Sequence, residues 1–256
     1  MKLIDTHTHL YLDEFNEDRG ISVRRAIAAG VEQMLLPNID KTSIGPMLEL
    51  HREFPANCLP MMGLHPTSVK ENWEEELALV RHYLDQGGFV AVGEIGIDLY
   101  WDKTFVNEQE IVFRTQVKWA AEMGLPLSIH SRESMDLIID ILEEMAIPGL
   151  KGVFHCFTGH IQQAKRIVDM GFHMGIGGVL TFKNAKVCNV LASIAPEYLV
   201  LETDAPFLAP VPYRGKRNES AYIPLIVNRL SECLGISPEE TAERTTLAAQ
   251  RLFGLS

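Results

Sequence analysis

The feature that most constrains the fold is a repeated alternation of short apolar runs with longer amphipathic stretches. The runs are "KLIDTH" at 2–7, "QMLLPN" at 33–38, "LPMMGLH" at 59–65 and "FVAVGEIG" at 89–96. They continue with "LPLSIH" at 125–130, "GVFHCF" at 152–157, "FHMGIGG" at 172–178 and "LVLETD" at 199–204. Helical patterns lie between them, at 18–29, 44–53, 73–86, 107–123, 134–145, 161–170 and 184–193. Near-continuous apolar runs without strict alternation mark strands buried on both faces. Eight strand–helix units in a chain of 256 residues predict an α/β fold of the TIM (β/α)8 barrel class. A doubly wound sheet also alternates, but no GxGxxG opens the first helix, and "GIGG" at 175–178 lacks that spacing. Two further helices, near 220–234 and 238–252, are expected to close the outer ring. Ser237 would cap the second, with Pro238 in first position and Glu240 following.

No linker or shift in charge divides the chain, so residues 1–256 read as one domain. With 46% hydrophobic residues it needs no disulfide to fold. Cys58, Cys156, Cys188 and Cys233 are scattered and form no CxxC, so they read as reduced thiols. The start "MKLIDTHTHL" is too short and polar for a secretory leader, and no apolar run reaches membrane-spanning length. A cytoplasmic protein is expected, with no membrane partner and no obligate protein partner. The net charge of −11 argues against a protein that coats nucleic acid. It permits an enzyme that engages nucleic acid at a small site, where cations reverse the local sign.

Ionisable residues cluster where the apolar runs end. His7 and His9 end the first run, His65 the third, His130 the fifth and Asp204 the eighth, while Glu94 and His155 lie within the fourth and sixth. In a barrel these strand ends meet at one rim. Residues two apart on a strand point the same way, so His7 and His9 can reach one ion. Asp204 alone would read as a turn cap and His130 alone as a packed histidine. An unpaired carboxylate at Glu94, between glycines on a buried strand, is costly. Together His7, His9, Glu94, His130, His155 and Asp204 suit two divalent metal ions, with one carboxylate bridging. Zn, Mg and Mn all fit such donors. A metal pair of this kind can acidify a water and clamp an in-line phosphoryl displacement. His51, His82 and His160 are expected to face solvent, His173 to be structural, and Cys156 to be a packed thiol.

The motifs "IDTHTHL", "GLHP", "VGEIGID", "LPLSIHSR", "HCFTG", "GIGG", "LETDAPFLAP" and "YRGKRNES" follow one another from residue 4 to residue 220. In this the chain resembles the TatD family of metal-dependent deoxyribonucleases, within the amidohydrolase superfamily. The resemblance implies that His7 and His9 hold a first ion, His130 and His155 a second, and that Glu94 bridges them. It makes Asp204 a ligand of the first ion and the group that orients or deprotonates the attacking water. His65 would touch the scissile phosphate, and Asp98, Arg132 and Arg214 become candidates for substrate or supporting contacts. The family pattern expects a proline after Asn218, where this chain has Glu219-Ser220. The implied activity is hydrolysis of DNA, trimming single-stranded ends, with Tyr11, Phe15, Tyr100, Trp101 and Phe157 as candidate base-stacking residues. Two rivals remain: an amidohydrolase or deacylase acting on a small carbonyl substrate or an aminoacyl-RNA, and a binding protein that keeps the site as a relic.

Overall fold

The computed structural model describes residues 2–183 and 185–255. Eight parallel strands alternate with helices: β1 Leu3–Asp5, α1 Arg19–Ala28, β2 Val31–Pro37, α2 Lys41–Glu53, β3 Cys58–Met61 and α3 Trp73–Gln86. Then follow β4 Val92–Asp98, α4 Val106–Met123, β5 Leu127–Arg132, α5 Met135–Met145, β6 Gly152–Phe154 and α6 Ile161–Asp169. The chain ends with β7 His173–Ile176, α7 Val187–Leu191, β8 Leu199–Leu201, α8 Ile223–Leu234 and α9 Pro238–Phe253. Continuous pairing gives two parallel sheets, β1-β2-β3 and β4-β5-β6-β7-β8. Single bridges, Met62 to Val92 and Thr8 to Ala205, join the sheets at both seams and close the barrel. The expected class holds. The helix expected over 184–193 is shorter, and residue 184 lies outside the described residues.

Inward side chains of alternating strand positions fill the barrel in layers. Ile4, Leu35, Met61, Ala91, Val153 and Val200 form the lowest, and Ala248, Ala249, Leu252 and Phe253 of α9 pack against them. The expectation that α9 completes the outer ring is therefore corrected: α9 plugs the N-terminal end of the barrel. A short apolar stripe fits a barrel mouth as well as a barrel flank, which is why periodicity alone misplaced it. Burying Leu252 and Phe253 is worth about 1.5–3 kcal/mol each. The helix start is as expected, since Ser237 Oγ accepts the Glu240 N–H at 3.1 Å.

A second correction concerns the cysteines. Cys188 on α7 and Cys233 on α8 are joined in a disulfide, their Cα atoms 5.2 Å apart although 45 residues separate them. Adjacent packing of the two helices brings them together, which sequence spacing does not reveal. Burial pushes the thiols of Cys58 and Cys156 up to about 12, so neither is a thiolate near neutral pH. Among the described residues no helix is long and apolar enough to cross a membrane.

Candidate metal centre

The strands that supply the apolar lowest layer supply the site one or two inward positions later. Val153 leads to His155, Val200 to Glu202 and Asp204, and Ser128 to His130 by period-two alternation. β1 ends too early to carry its histidines in the same way. Asp5 instead ties the chain to β8: its carboxylate accepts the Thr203 N–H at 2.9 Å and the Thr203 hydroxyl at 2.6 Å. Burial raises the Asp5 carboxyl to about 7. Beyond this strut the Asp204 N–H donates to the His7 carbonyl at 2.9 Å and the His9 N–H to the Ala205 carbonyl at 2.7 Å. His7, His9 and Asp204 are thereby fixed side by side.

Glu94 is the hub. Its Oε1 lies 2.9 Å from His130 Nδ1, 3.0 Å from His155 Nε2 and 3.4 Å from His65 Nε2. Its Oε2 lies 3.1 Å from His7 Nε2 and 3.6 Å from His9 Nε2. Asp204 Oδ1 approaches His9 Nε2 at 3.5 Å and His7 Nε2 at 3.8 Å. One buried carboxylate thus faces five imidazole nitrogens, and His130 Nδ1 and His155 Nε2 face each other at 3.5 Å. Two ring lone pairs aimed together repel unless a proton or cation lies between them. Several buried imidazolium charges would be expensive, whereas cations held by neutral rings satisfy rings and carboxylates at once. The donor set therefore fits metal ions: His7, His9 and Asp204 on the Oε2 side, His130 and His155 on the Oε1 side.

The proton balance has the same character. Burial opposes ionisation of Glu94, but His155, His65 and His7 outweigh it and hold its carboxyl well below the ordinary range. Burial also works against Asp204, and His9, His155 and His7 keep its carboxyl low. Burial and the neighbouring His155 push His7 down. Against burial, Asp98 and Glu94 raise His130, while Glu94 and Glu202 raise His155.

The rings of His7, His9, His65 and His130 are also held from behind. His7 Nδ1 faces Ser128 Oγ at 3.2 Å, and His130 Nε2 faces Asp98 Oδ2 at 2.9 Å. Burial opposes the Asp98 charge, but His130 and the backbone N–H groups of Trp101 and Tyr100 hold that carboxyl down at about 2. Tyr11 donates its only hydroxyl proton to the Pro37 carbonyl at 2.5 Å, so its oxygen accepts from His9 Nδ1 at 2.8 Å. His9 therefore carries its proton on Nδ1 and offers Nε2 to the centre. His65 is the opposite case. The Thr67 N–H donates to its Nδ1 at 3.1 Å, which leaves the ring proton on Nε2. His65 enters the site as a hydrogen-bond donor, although its position beside Glu94 and His130 would suit a ligand.

A cavity of about 450 Å³ opens above the cluster, bounded by Ile39, Trp101, Arg132, Phe207 and Leu208. Trp101 is 66% exposed and Phe207 47%. The Arg132 guanidinium lies over the rings of Tyr100 at 4.0 Å and Trp101 at 5.3 Å. Tyr11, Phe15 and Phe157 are buried, so these three expected stacking residues are core or positioning groups instead. Arg214 does not line the cavity; it lies 4.4 Å over Phe182, farther along the rim. Arg217 is committed to Asp18 and Glu219 at 2.7–2.9 Å, and Glu219 also binds Arg25. The residues standing where the family expects proline thus join a structural ion-pair network, and Ser220 Oγ meets Thr8 Oγ1 at 3.3 Å. His82 and His160 face solvent as expected; His51 is half-buried, its Nδ1 2.7 Å from the Cys58 carbonyl. Phe207, Leu208, Ser128 and Glu202 escaped the sequence reading. Only Glu202 had a usable signal, its two-residue spacing from Asp204.

The family model described as TatD related DNase matches residues 4–254. An uncharacterized metal-dependent hydrolase of Bacillus subtilis, YabD, is 36% identical over 99% of this chain and 100% of its own. The 3'-5' ssDNA/RNA exonuclease TatD of Erwinia tasmaniensis is 32% identical, covering 99% of this chain and 100% of its own. The crystal structure of YJJV, a TatD homologue from Escherichia coli, superposes with a TM-score of 0.93 at 30% identity, covering 99% and 98% of the two chains. With the match running from the first histidine pair to the last helix, this chain belongs to the TatD family of metal-dependent hydrolases.

Proposed function

We propose that the protein is a two-metal phosphodiesterase that trims single-stranded DNA ends. The observation that carries this reading is Glu94, whose two oxygens face two separate sets of donors. His7, His9 and Asp204 would hold one divalent ion (Zn, Mg or Mn), His130 and His155 the other, with Glu94 between them. Ions bound there supply Lewis acidity at the scissile phosphate and lower the pKa of the attacking water.

The chain's own groups divide the remaining work. Asp204 is the base, because its side chain is 15% exposed to the cavity while Glu94, at 3%, is wrapped in imidazoles. Held ionised by its histidine neighbours, Asp204 takes the proton of the attacking water. His65 donates Nε2–H to a non-bridging phosphate oxygen, which strengthens as charge develops there. Arg132 adds a fixed cation at the cavity wall, and Trp101 offers a flat face to a base. The cavity is a local recess of about 450 Å³, and a net charge of −11 favours engagement of a strand end there over coating a duplex. The 3'-5' ssDNA/RNA exonuclease activity by which the Erwinia relative is named supports a 3'-5' direction and an RNA substrate as well.

The test is digestion of end-labelled single-stranded oligonucleotides by purified protein, with each metal varied. The reading requires stepwise shortening that Glu94→Ala abolishes. Retained nuclease activity in that variant overturns it, and hydrolysis confined to carboxylic esters transfers the site to the amidohydrolase alternative.

A further inference from the structure

Glu202 is a fully buried carboxylate inside the barrel, one inward position below Asp204. Its Oε1 accepts the Cys156 N–H at 2.5 Å and lies 3.5 Å from His155 Nδ1. Among the described residues neither Glu202 Oε2 nor His155 Nδ1 has a hydrogen-bond partner. An unsatisfied buried carboxylate oxygen costs several times what a neutral hydrogen bond returns. The neighbouring strand nevertheless makes room for it. A Cβ at Gly175 on β7 would stand 2.0 Å from Glu202 Oε2, so any side chain there would displace the carboxylate. Gly175 shows no positive φ, so the glycine is required for space rather than backbone conformation.

The far side of the same imidazole explains the arrangement. His155 Nε2 points at Glu94 Oε1 at 3.0 Å, toward the second donor set. We infer that Glu202 is a positioning residue that keeps the His155 proton on Nδ1, so that Nε2 is a lone-pair donor aimed at the second ion. This extends the two-metal reading above and rests on it. Asp98 does the equivalent for His130, from the opposite ring nitrogen. Both imidazoles on the Oε1 side thus have a carboxylate behind them, whereas on the Oε2 side Ser128 and Tyr11 support the rings with neutral hydroxyls. Carboxylate support of this kind raises ligand basicity, and its loss typically costs about 10–100-fold in metal affinity.

Glu202→Gln separates positioning from simple packing, because the amide oxygen can still accept the Cys156 N–H while the charge behind His155 is gone. Full-length wild type and variant are equilibrated against graded free Zn²⁺, and bound metal is counted per chain. The expected result is two ions in both, with the weaker-binding step of the variant shifted by about 10–100-fold in Zn²⁺ and the other step within about twofold. Unchanged binding at both steps in the folded variant overturns the role of Glu202. A wild type that binds one ion at every concentration overturns the two-metal reading instead. Ring ¹⁵N shifts of His155 in the Zn²⁺-loaded wild type decide the tautomer independently, even if the variant does not fold. Protonation at Nδ1 supports the inference and protonation at Nε2 alone overturns it.

Discussion

The two ends of the barrel are built by the same strands and obey opposite rules. At the N-terminal end, Ile4, Leu35, Met61, Ala91, Val153 and Val200 meet α9 in an apolar layer. At the C-terminal end, β5 and the segments that follow β1, β6 and β8 converge on Glu94 with imidazoles and carboxylates. The apolar end gains free energy from every group it removes from water. The polar end spends part of that gain to hold like groups together at distances that a proton or a bound cation relieves. Stability and chemistry are separated along a few ångströms of strand. A substitution should therefore damage one and spare the other.

Glu94→Ala should produce the largest effect. It removes the group common to both donor sets, and kcat/KM on a single-stranded oligonucleotide should fall by about 10⁴-fold or more while the protein stays folded. Phe253→Ala tests the other end. Calorimetry or denaturant titration should show a loss of about 3–5 kcal/mol, with kcat/KM per folded molecule unchanged. An activity loss matching that of Glu94→Ala would erase the division between the ends.

Metal removal comes next. Saturation at 100 times Kd stabilises by about 2.7 kcal/mol per site, so chelation of two ions should lower Tm by about 10–20 °C. The shift should vanish in Glu94→Ala and persist in Phe253→Ala. Trp101→Ala should weaken oligonucleotide binding by about 1–3 kcal/mol, read as a raised KM, and leave turnover of a small aryl phosphodiester unchanged.

The smallest effect concerns the rim's ion-pair network. Arg217 and Arg25 hold the Asp18 carboxyl well below its ordinary value. A depressed folded-state value means that the contribution is fully present above the unfolded value near 4 and is lost as pH falls through the folded one. Asp18 is partly solvated, so Asp18→Asn should cost about 0.5–1 kcal/mol at neutral pH and nothing in strong acid. Equal destabilisation at pH 7 and below pH 2 would show that packing, not charge, anchors this loop.

Much of this polarity between the two ends was legible in the chain. The apolar runs gave eight strands in order, and period-two spacing from Val153 and Val200 leads to His155 and Asp204 without any structure. Other features were hidden for physical reasons. α9 carries the same kind of apolar stripe whether it covers a flank or a mouth. Cys188 and Cys233 depend on how α7 lies against α8. Tyr11 and Phe15 look like rim aromatics until the core claims them. Arg217 is drawn into an ion pair with Asp18, nearly two hundred residues away in sequence, which only the fold places beside it.

The sequence by itself determined the barrel, the ligand-type residues at its strand ends and the family, because these depend on local periodicity and on residue identity. Tertiary structure alone decided which atom of each residue faces the centre. His65 and His9 are chemically identical rings, and only Thr67 behind one and Tyr11 behind the other give the first an Nε2–H and the second an Nε2 lone pair facing the centre. A tautomer is fixed by the partner on the far side of the ring, and those partners become neighbours only when the barrel closes.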